Sequence, residues 1–157
     1  MRPLAYVGIG ANLGDARATV RAACERLRPL GALRCSSLYR SAPVDAGGPD
    51  FVNAVVELQP TLDPAALLAA LQAIEADFGR ERPFRHAPRT LDLDLLLYGD
   101  EVVGTPSLTL PHPRLHQRAF VLQPLLELAP ALQAPGLGAL SAWLPATAGQ
   151  GIERLAG

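Results

Sequence analysis

Arg89-Thr90-Leu91-Asp92-Leu93-Asp94-Leu95-Leu96-Leu97-Tyr98 is the stretch on which the fold turns. Leucine recurs at every second position, the period of a β-strand. The pattern predicts a strand over 91–98 with Leu91, Leu93, Leu95 and Leu97 facing the core. Asp92 and Asp94 then lie side by side on the opposite face. Two carboxylates so placed repel each other unless a cation sits between them. Directly upstream, Arg80-Glu81-Arg82-Pro83-Phe84-Arg85-His86-Ala87-Pro88 forms a proline-broken, arginine-dense loop. Guanidinium groups match phosphate oxygens in bidentate geometry. An acidic pair beside such a loop suits a nucleotide polyphosphate carried with Mg2+. Alone, the acids would read as a solvated sheet face and the arginines as a solvated loop; their adjacency weighs against both.

Moving outward, Asp63-Pro64 gives a cap and a first-turn proline for a helix reaching about residue 78. Leu67, Leu71, Ile74 and Phe78 share one face of it, and Gly79 ends it. Before it lie an expected strand over 51–58 and a turn-rich loop over 41–50 of the kind that often carries function. Earlier still come a strand over 33–39, a helix over 15–30 and a first strand over 4–10. The helix places Val20, Ala23, Cys24, Leu27 and Leu30 at helical spacing, with Asp15 in its first turn and Gly31 as its stop. After the acidic strand, Gly99-Asp100 turns into an edge segment around 101–103, and a helix over 118–128 ends before Pro130. The tail from 131 is rich in Ala, Gly and Pro and carries little signal; Trp143 reads as a packing residue.

Strand, helix, strand, strand, helix, strand is the order of a ferredoxin-like βαββαβ core. The expected class is therefore α+β: an antiparallel sheet, helices packed on one face, the other face open for a ligand, and a short C-terminal extension. With 157 residues the chain is expected to form a single domain, 1–157. A net charge of −1 offers no basic field for nucleic acid, and 49% hydrophobic residues argue against disorder. The chain contains no lysine, which excludes a P-loop. Cys24 and Cys35 have no Cys-x-x-Cys spacing and read as buried thiols of a reducing cytosol. No run of roughly 20 apolar residues suggests a membrane span. The expected location is cytoplasmic.

Gly8-Ile9-Gly10-Ala11-Asn12-Leu13-Gly14 follows a strand and opens a helix, but its third glycine comes one residue late for a dinucleotide fingerprint. It reads as a tight turn or as a loop bordering a ligand. His112 lies between Pro111 and Pro113, with Arg114 and Arg118 close by, in a setting that suits phosphate. His116 reads as surface. Phe51 and Phe120, from distant segments, are core residues or the two sides of a sandwich around a flat heterocycle. Asn53 offers both a donor and an acceptor to the edge of such a ring.

Taken in order, five segments give a resemblance. They are 8–14, 38–44 (Leu-Tyr-Arg-Ser-Ala-Pro-Val), 49–55 (Pro-Asp-Phe-Val-Asn-Ala-Val), 87–96 (Ala-Pro-Arg-Thr-Leu-Asp-Leu-Asp-Leu-Leu) and 111–122. Over about residues 4–130 the chain resembles the 6-hydroxymethyl-7,8-dihydropterin pyrophosphokinase family. The resemblance implies transfer of pyrophosphate from ATP, as co-substrate, to the pterin hydroxymethyl oxygen, with AMP released, in folate biosynthesis. It implies that Asp92 and Asp94 bind two Mg2+ ions and that Arg80 and Arg89 assist catalysis. Ser41, Ala42, Val44 and Asn53 would line the pterin pocket, with Phe51 and Phe120 stacking on the ring. Gln72 and Glu75 would lie near the nucleotide, Arg82, Arg89, His112 and Arg118 would touch the triphosphate, and Thr109 would contact the nucleotide.

Three departures stand out. His86 replaces a Trp of some members, Phe51 replaces a Tyr, and the arginine loop is one residue shorter than in some. The expected partners are the small molecules ATP and hydroxymethyl-dihydropterin, with no nucleic acid and no membrane, and the expected state is a monomer. Two rivals remain: a nucleotide-sensing or RNA-binding module, which would need aromatics on its central strands, and another Mg2+-dependent phosphotransferase, which would release ADP.

Overall fold

The computed structural model describes residues 3–12, 14–42, 50–79 and 91–156. The chain runs through β1 (Ala5–Ala11), α1 (Ala16–Leu27), β2 (Gly31–Cys35), β3 (Tyr39–Ser41), β4 (Phe51–Pro60), α2 (Pro64–Phe78) and β5 (Asp92–Tyr98). It continues through β6 (Val103–Gly104), β7 (Thr109–Leu110), α3 (Ala119–Leu128), β8 (Gln133–Ala134), β9 (Gly138–Ala139) and β10 (Ile152–Arg154). The main sheet has the order β10-β3-β4-β1-β5, with β2 also on β4, and its pairings are antiparallel. In this register Gly8 lies opposite Asp94 and Gly10 opposite Asp92.

Both predicted helix starts form as their sequences dictate. The Asp15 carboxylate accepts from the Ala18 N–H at 3.1 Å, and the Asp63 carboxylate from the Ala66 N–H at 2.8 Å, each satisfying a donor that the first turn leaves unpaired. After α1 a 3-10 turn, Arg28–Leu30, leads into Gly31 at φ +152°. A Cβ there would fall 1.9 Å from the Gln59 carbonyl oxygen, so only glycine lets β2 start against β4. Val20, Ala23, Cys24 and Leu27 of α1, with Leu67, Leu71 and Ile74 of α2, pack on Val7, Ile9, Val56 and Leu93 of the sheet. Fully buried leucines such as Leu67 and Leu71 each contribute about 1.5–3 kcal/mol by leaving water.

Several expectations need correction. First, the sheet's second face is not simply open. Leu122, Leu125 and Leu128 of α3 cover Tyr6, Val55, Leu96 and Leu97 there. Second, Leu97 belongs to that second core and not to the first. Tyr6 pairs with Leu97 but Val7 with Leu95, so Leu96 is an extra residue in a bulge that reverses the alternation. Tyr98 returns to the α1/α2 side. Third, the strand expected over 33–39 is two strands. At the break the Ser36 hydroxyl accepts the Val55 N–H at 2.9 Å, so a side chain takes the place of a ladder carbonyl. Fourth, Cys24 is buried as expected, but Cys35, on β2, is exposed.

The segment around 101–103 is shorter than expected and lies in a hairpin, β6 pairing with β7. The tail is ordered. Trp143 sits in a 3-10 helix, Leu140–Thr147, donates its indole N–H to the Leu137 carbonyl at 3.0 Å and packs on the second core. His116 is half-buried, not surface: its ring meets Trp143 edge-on with centroids 4.6 Å apart. Among the described residues no helix is long and apolar enough to cross a membrane.

Candidate active site

Between the free part of the second sheet face and the start of α3 lies a cavity of about 340 Å³. That volume suits a small flat ligand. Its base is β1, where Gly8 and Gly10 present no side chain. A Cβ on Gly10 would come 3.3 Å from Asn53 Oδ1, so the glycine lets Asn53 lie close over the backbone. The Asn53 Nδ2 donates to Ser41 Oγ at 2.6 Å, and both residues are buried. That bond occupies one of the two amide N–H groups and fixes which way the amide points.

Phe51, at the start of β4, and Phe120, in the first turn of α3, both line this space, as do Ala42, Arg118, Asp92 and Asp94. The Arg118 guanidinium carbon lies 5.4 Å from the Phe120 ring centre, a cation–π contact that holds positive charge beside an aromatic face. The two aspartates share a face of β5, with Asp92 half-buried and Asp94 exposed.

His112 lies outside the cavity lining but within electrostatic reach of Asp94. Its backbone N–H bonds the Leu96 carbonyl at 2.9 Å, tying the segment to β5. Its Nδ1 accepts the Arg114 N–H at 3.1 Å, which places the proton of the neutral ring on Nε2 as a donor. Burial pushes this imidazole below its ordinary value. The Asp94 charge pulls the other way, and the Arg118 and Arg114 guanidinium groups add to the lowering.

The remaining expected residues fall into two groups. Glu75 accepts the Leu93 N–H at 2.8 Å, so it sits against β5 between the positions of the two acids. Gln72 is exposed on α2 and Thr109 is exposed on β7, and neither lines the cavity. Arg80, Arg82, Arg89 and Val44 lie outside the described residues, as do Arg85 and His86. Ala54 and Val121 also border the cavity and were not expected there; Gly8, Ile9 and Gly10 border it too, from the segment read as a tight turn or a loop bordering a ligand, without having been named as site residues. A signal for the glycines existed: they alternate on a central strand, as the aspartates do on its neighbour.

Among the described residues no group of three or more His, Cys, Asp or Glu forms a metal cluster. The donor set is instead two carboxylates on one strand face, opening on one cavity. That fits Mg2+, which takes one or two carboxylates and completes its shell with water and phosphate oxygens. It does not fit a soft metal that needs sulfur or several imidazoles.

Such a sheet, with acids on an edge strand and aromatic rings on facing segments, defines a small α+β protein whose cavity is bordered by aromatic rings and by two carboxylates. Known proteins narrow the class. The family described as 7,8-dihydro-6-hydroxymethylpterin-pyrophosphokinase matches residues 6–130. A 2-amino-4-hydroxy-6-hydroxymethyldihydropteridine pyrophosphokinase of Pseudomonas aeruginosa is 46% identical over 156 residues, covering 97% of this chain and 96% of the relative. The Bacillus subtilis enzyme of the same name is 40% identical over 132 residues, with 82% and 79% covered. In fold, the chain is similar to a Plasmodium falciparum HPPK-DHPS at a TM-score of 0.71 and 12% identity. That match covers 91% of this chain and 45% of the larger protein, so this chain spans less than half of it. The chain belongs to the 7,8-dihydro-6-hydroxymethylpterin-pyrophosphokinase family.

Proposed function

We propose that this chain transfers the pyrophosphoryl group of ATP to the hydroxymethyl oxygen of 6-hydroxymethyl-7,8-dihydropterin, with AMP as leaving group, as a step of folate biosynthesis. One observation carries the reading beyond family membership. Phe51, Phe120, the Asn53–Ser41 pair and both aspartates open on the same cavity, so a ring bound there has its substituent near the acids. In this reading Phe51 and Phe120 hold the two faces of the pterin. Asn53, oriented by Ser41, reads its edge, with Ala42 and Val44 beside it.

Arg118 and the Nε2–H of His112 reach phosphate oxygens, joined by Arg82 and Arg89. Arg80 and Arg89 stabilise charge as the bond to the leaving AMP breaks. Gln72, Glu75 and Thr109 border the nucleotide. Asp92 and Asp94 hold two Mg2+ ions. Bound there, the metal supplies charge neutralisation on the phosphates and acidifies the attacking hydroxyl. The protein's own share is positioning and a fixed electrostatic field, with no covalent enzyme intermediate.

The strand order supports the ferredoxin-like assignment, and the enzyme is read as a cytoplasmic monomer working as one domain. An RNA-binding module would use the second sheet face, and α3 covers part of that face. Incubation with ATP, Mg2+ and hydroxymethyl-dihydropterin, followed by nucleotide separation, tests the reaction. AMP in equal amount to the pterin diphosphate is the expected product; ADP, or no Mg2+-dependent turnover, overturns it.

A further inference from the structure

The family match ends at residue 130, yet the chain beyond it bonds at two points to segments that carry cavity-lining residues. β10 pairs with β3, with Ile152 opposite the wall residue Ser41. Two residues earlier, Gln150 reaches the start of α3. Its Oε1 accepts the Ala119 N–H at 2.9 Å, and its Nε2 donates to the Gln117 carbonyl at 2.8 Å. Only one orientation of the amide satisfies both bonds.

The two bonded residues flank Arg118, and Phe120 follows directly. The Arg118 side chain, at the cap position, makes no capping bond of its own. The Ala119 N–H, a first-turn donor without a partner inside the helix, is therefore satisfied by a side chain from the far end of the sequence. Gln150 is itself held, its backbone N–H bonding the Thr147 carbonyl at 3.0 Å.

We propose that Gln150 is a positioning residue for the pterin site: it fixes the backbone that presents Arg118 and Phe120 to the cavity, while β10 holds Ser41 on the other wall. The inference rests on the cavity being the pterin site. Phe120 grips the ring alike in ground and transition states, so loosening its backbone weakens binding more than it slows the chemical step.

Gln150→Met keeps the side-chain length and loses both hydrogen bonds. Thr147→Val serves as comparator. It removes the hydroxyl bond to the Leu144 carbonyl, 2.9 Å, in the same tail, and keeps the backbone carbonyl that holds Gln150. Steady-state AMP formation and thermal melting are measured for both. The expected result is a pterin KM raised about tenfold in Gln150→Met with kcat within about twofold of wild type. Thr147→Val lowers the melting temperature and leaves KM in place. An unchanged KM in Gln150→Met, or an equal rise in Thr147→Val, overturns the inference while leaving the reaction standing. A wild-type chain that forms no AMP overturns the proposed reaction and this inference with it.

Discussion

Asp92 and Asp94 differ from most polar residues of the sheet in facing a cavity and not bulk water alone. Replacing either with Asn keeps shape and removes a charge. AMP formation is expected to fall by more than about a thousandfold, the scale of several kcal/mol of lost charge stabilisation. For Asp94→Asn the melting temperature measured without metal stays near that of wild type, because Asp94 is exposed on the strand. Two near-normal rates would sink the metal assignment. Cys35 offers a second test at this scale. The neighbouring Cys24 thiol outweighs burial and lowers the Cys35 thiol to about 7, while Cys24 is raised. Iodoacetamide at neutral pH is expected to label exposed Cys35 first and to leave buried Cys24 unlabelled in the native state. Peptide mapping that finds the reverse order would contradict this pairing.

Among the elements, α1 and α2 were readable because their signals are local: an aspartate cap, a first-turn proline and apolar residues one helical turn apart. The bulge in β5 was not readable. Leu95, Leu96 and Leu97 are chemically alike, so no polar residue marks where the alternation reverses. The tail was opaque for another reason. Its strands are two or three residues long: β8 and β9 pair only with each other, and β10 exists only through β3, far off in sequence. The helices also make a comparison possible. Leu71 of α2 and Leu122 of α3 are both fully buried, in different cores. Truncation of either to Ala is expected to cost about 2–5 kcal/mol in urea denaturation. Only Leu122→Ala is expected to raise the pterin KM as well, since it loosens the helix whose first turn carries Phe120. Equal effects on KM from both would show that the two cores do not act separately on the site.

Across the whole molecule, two carboxylates lock α3 to the sheet. Glu57 accepts from Tyr6 at 2.8 Å and from Arg34 at 3.0 Å, and Arg34 also bonds the Leu128 carbonyl at 2.9 Å. Glu127 accepts from the Tyr39 hydroxyl at 2.6 Å and the Ser37 N–H at 2.9 Å, with Arg154 of β10 3.8 Å away. Burial alone would raise Glu127. The hydrogen bonds from Tyr39 and Ser37, with the Arg154 charge, outweigh it and leave the carboxyl below its ordinary value. A carboxyl lowered by folding favours the native state above the ordinary carboxylate range, and this is lost as pH falls through the folded value. Thermal melting followed from about pH 5 to about pH 3 is expected to drop more steeply for wild type than for Glu127→Gln. Parallel curves would refute the linkage. None of this network was legible beforehand, because each carboxylate and its partners come from separate segments. The cavity was legible in its chemistry, in Phe51, Asn53, Asp92, Asp94 and Phe120, but its base of glycines emerged only once β1 stood between β4 and β5.

That glycine base bears on inhibition. Where Gly8 and Gly10 leave the main chain bare, an inhibitor rests on peptide planes and not on side chains. Peptide planes cannot be exchanged by point mutation. At Gly10, even one added methyl presses on the Asn53 carbonyl oxygen. At Gly8 an added methyl meets Leu96 at an ordinary 3.5 Å, so a compound anchored over Gly10 leaves fewer tolerated substitutions than one anchored over Gly8.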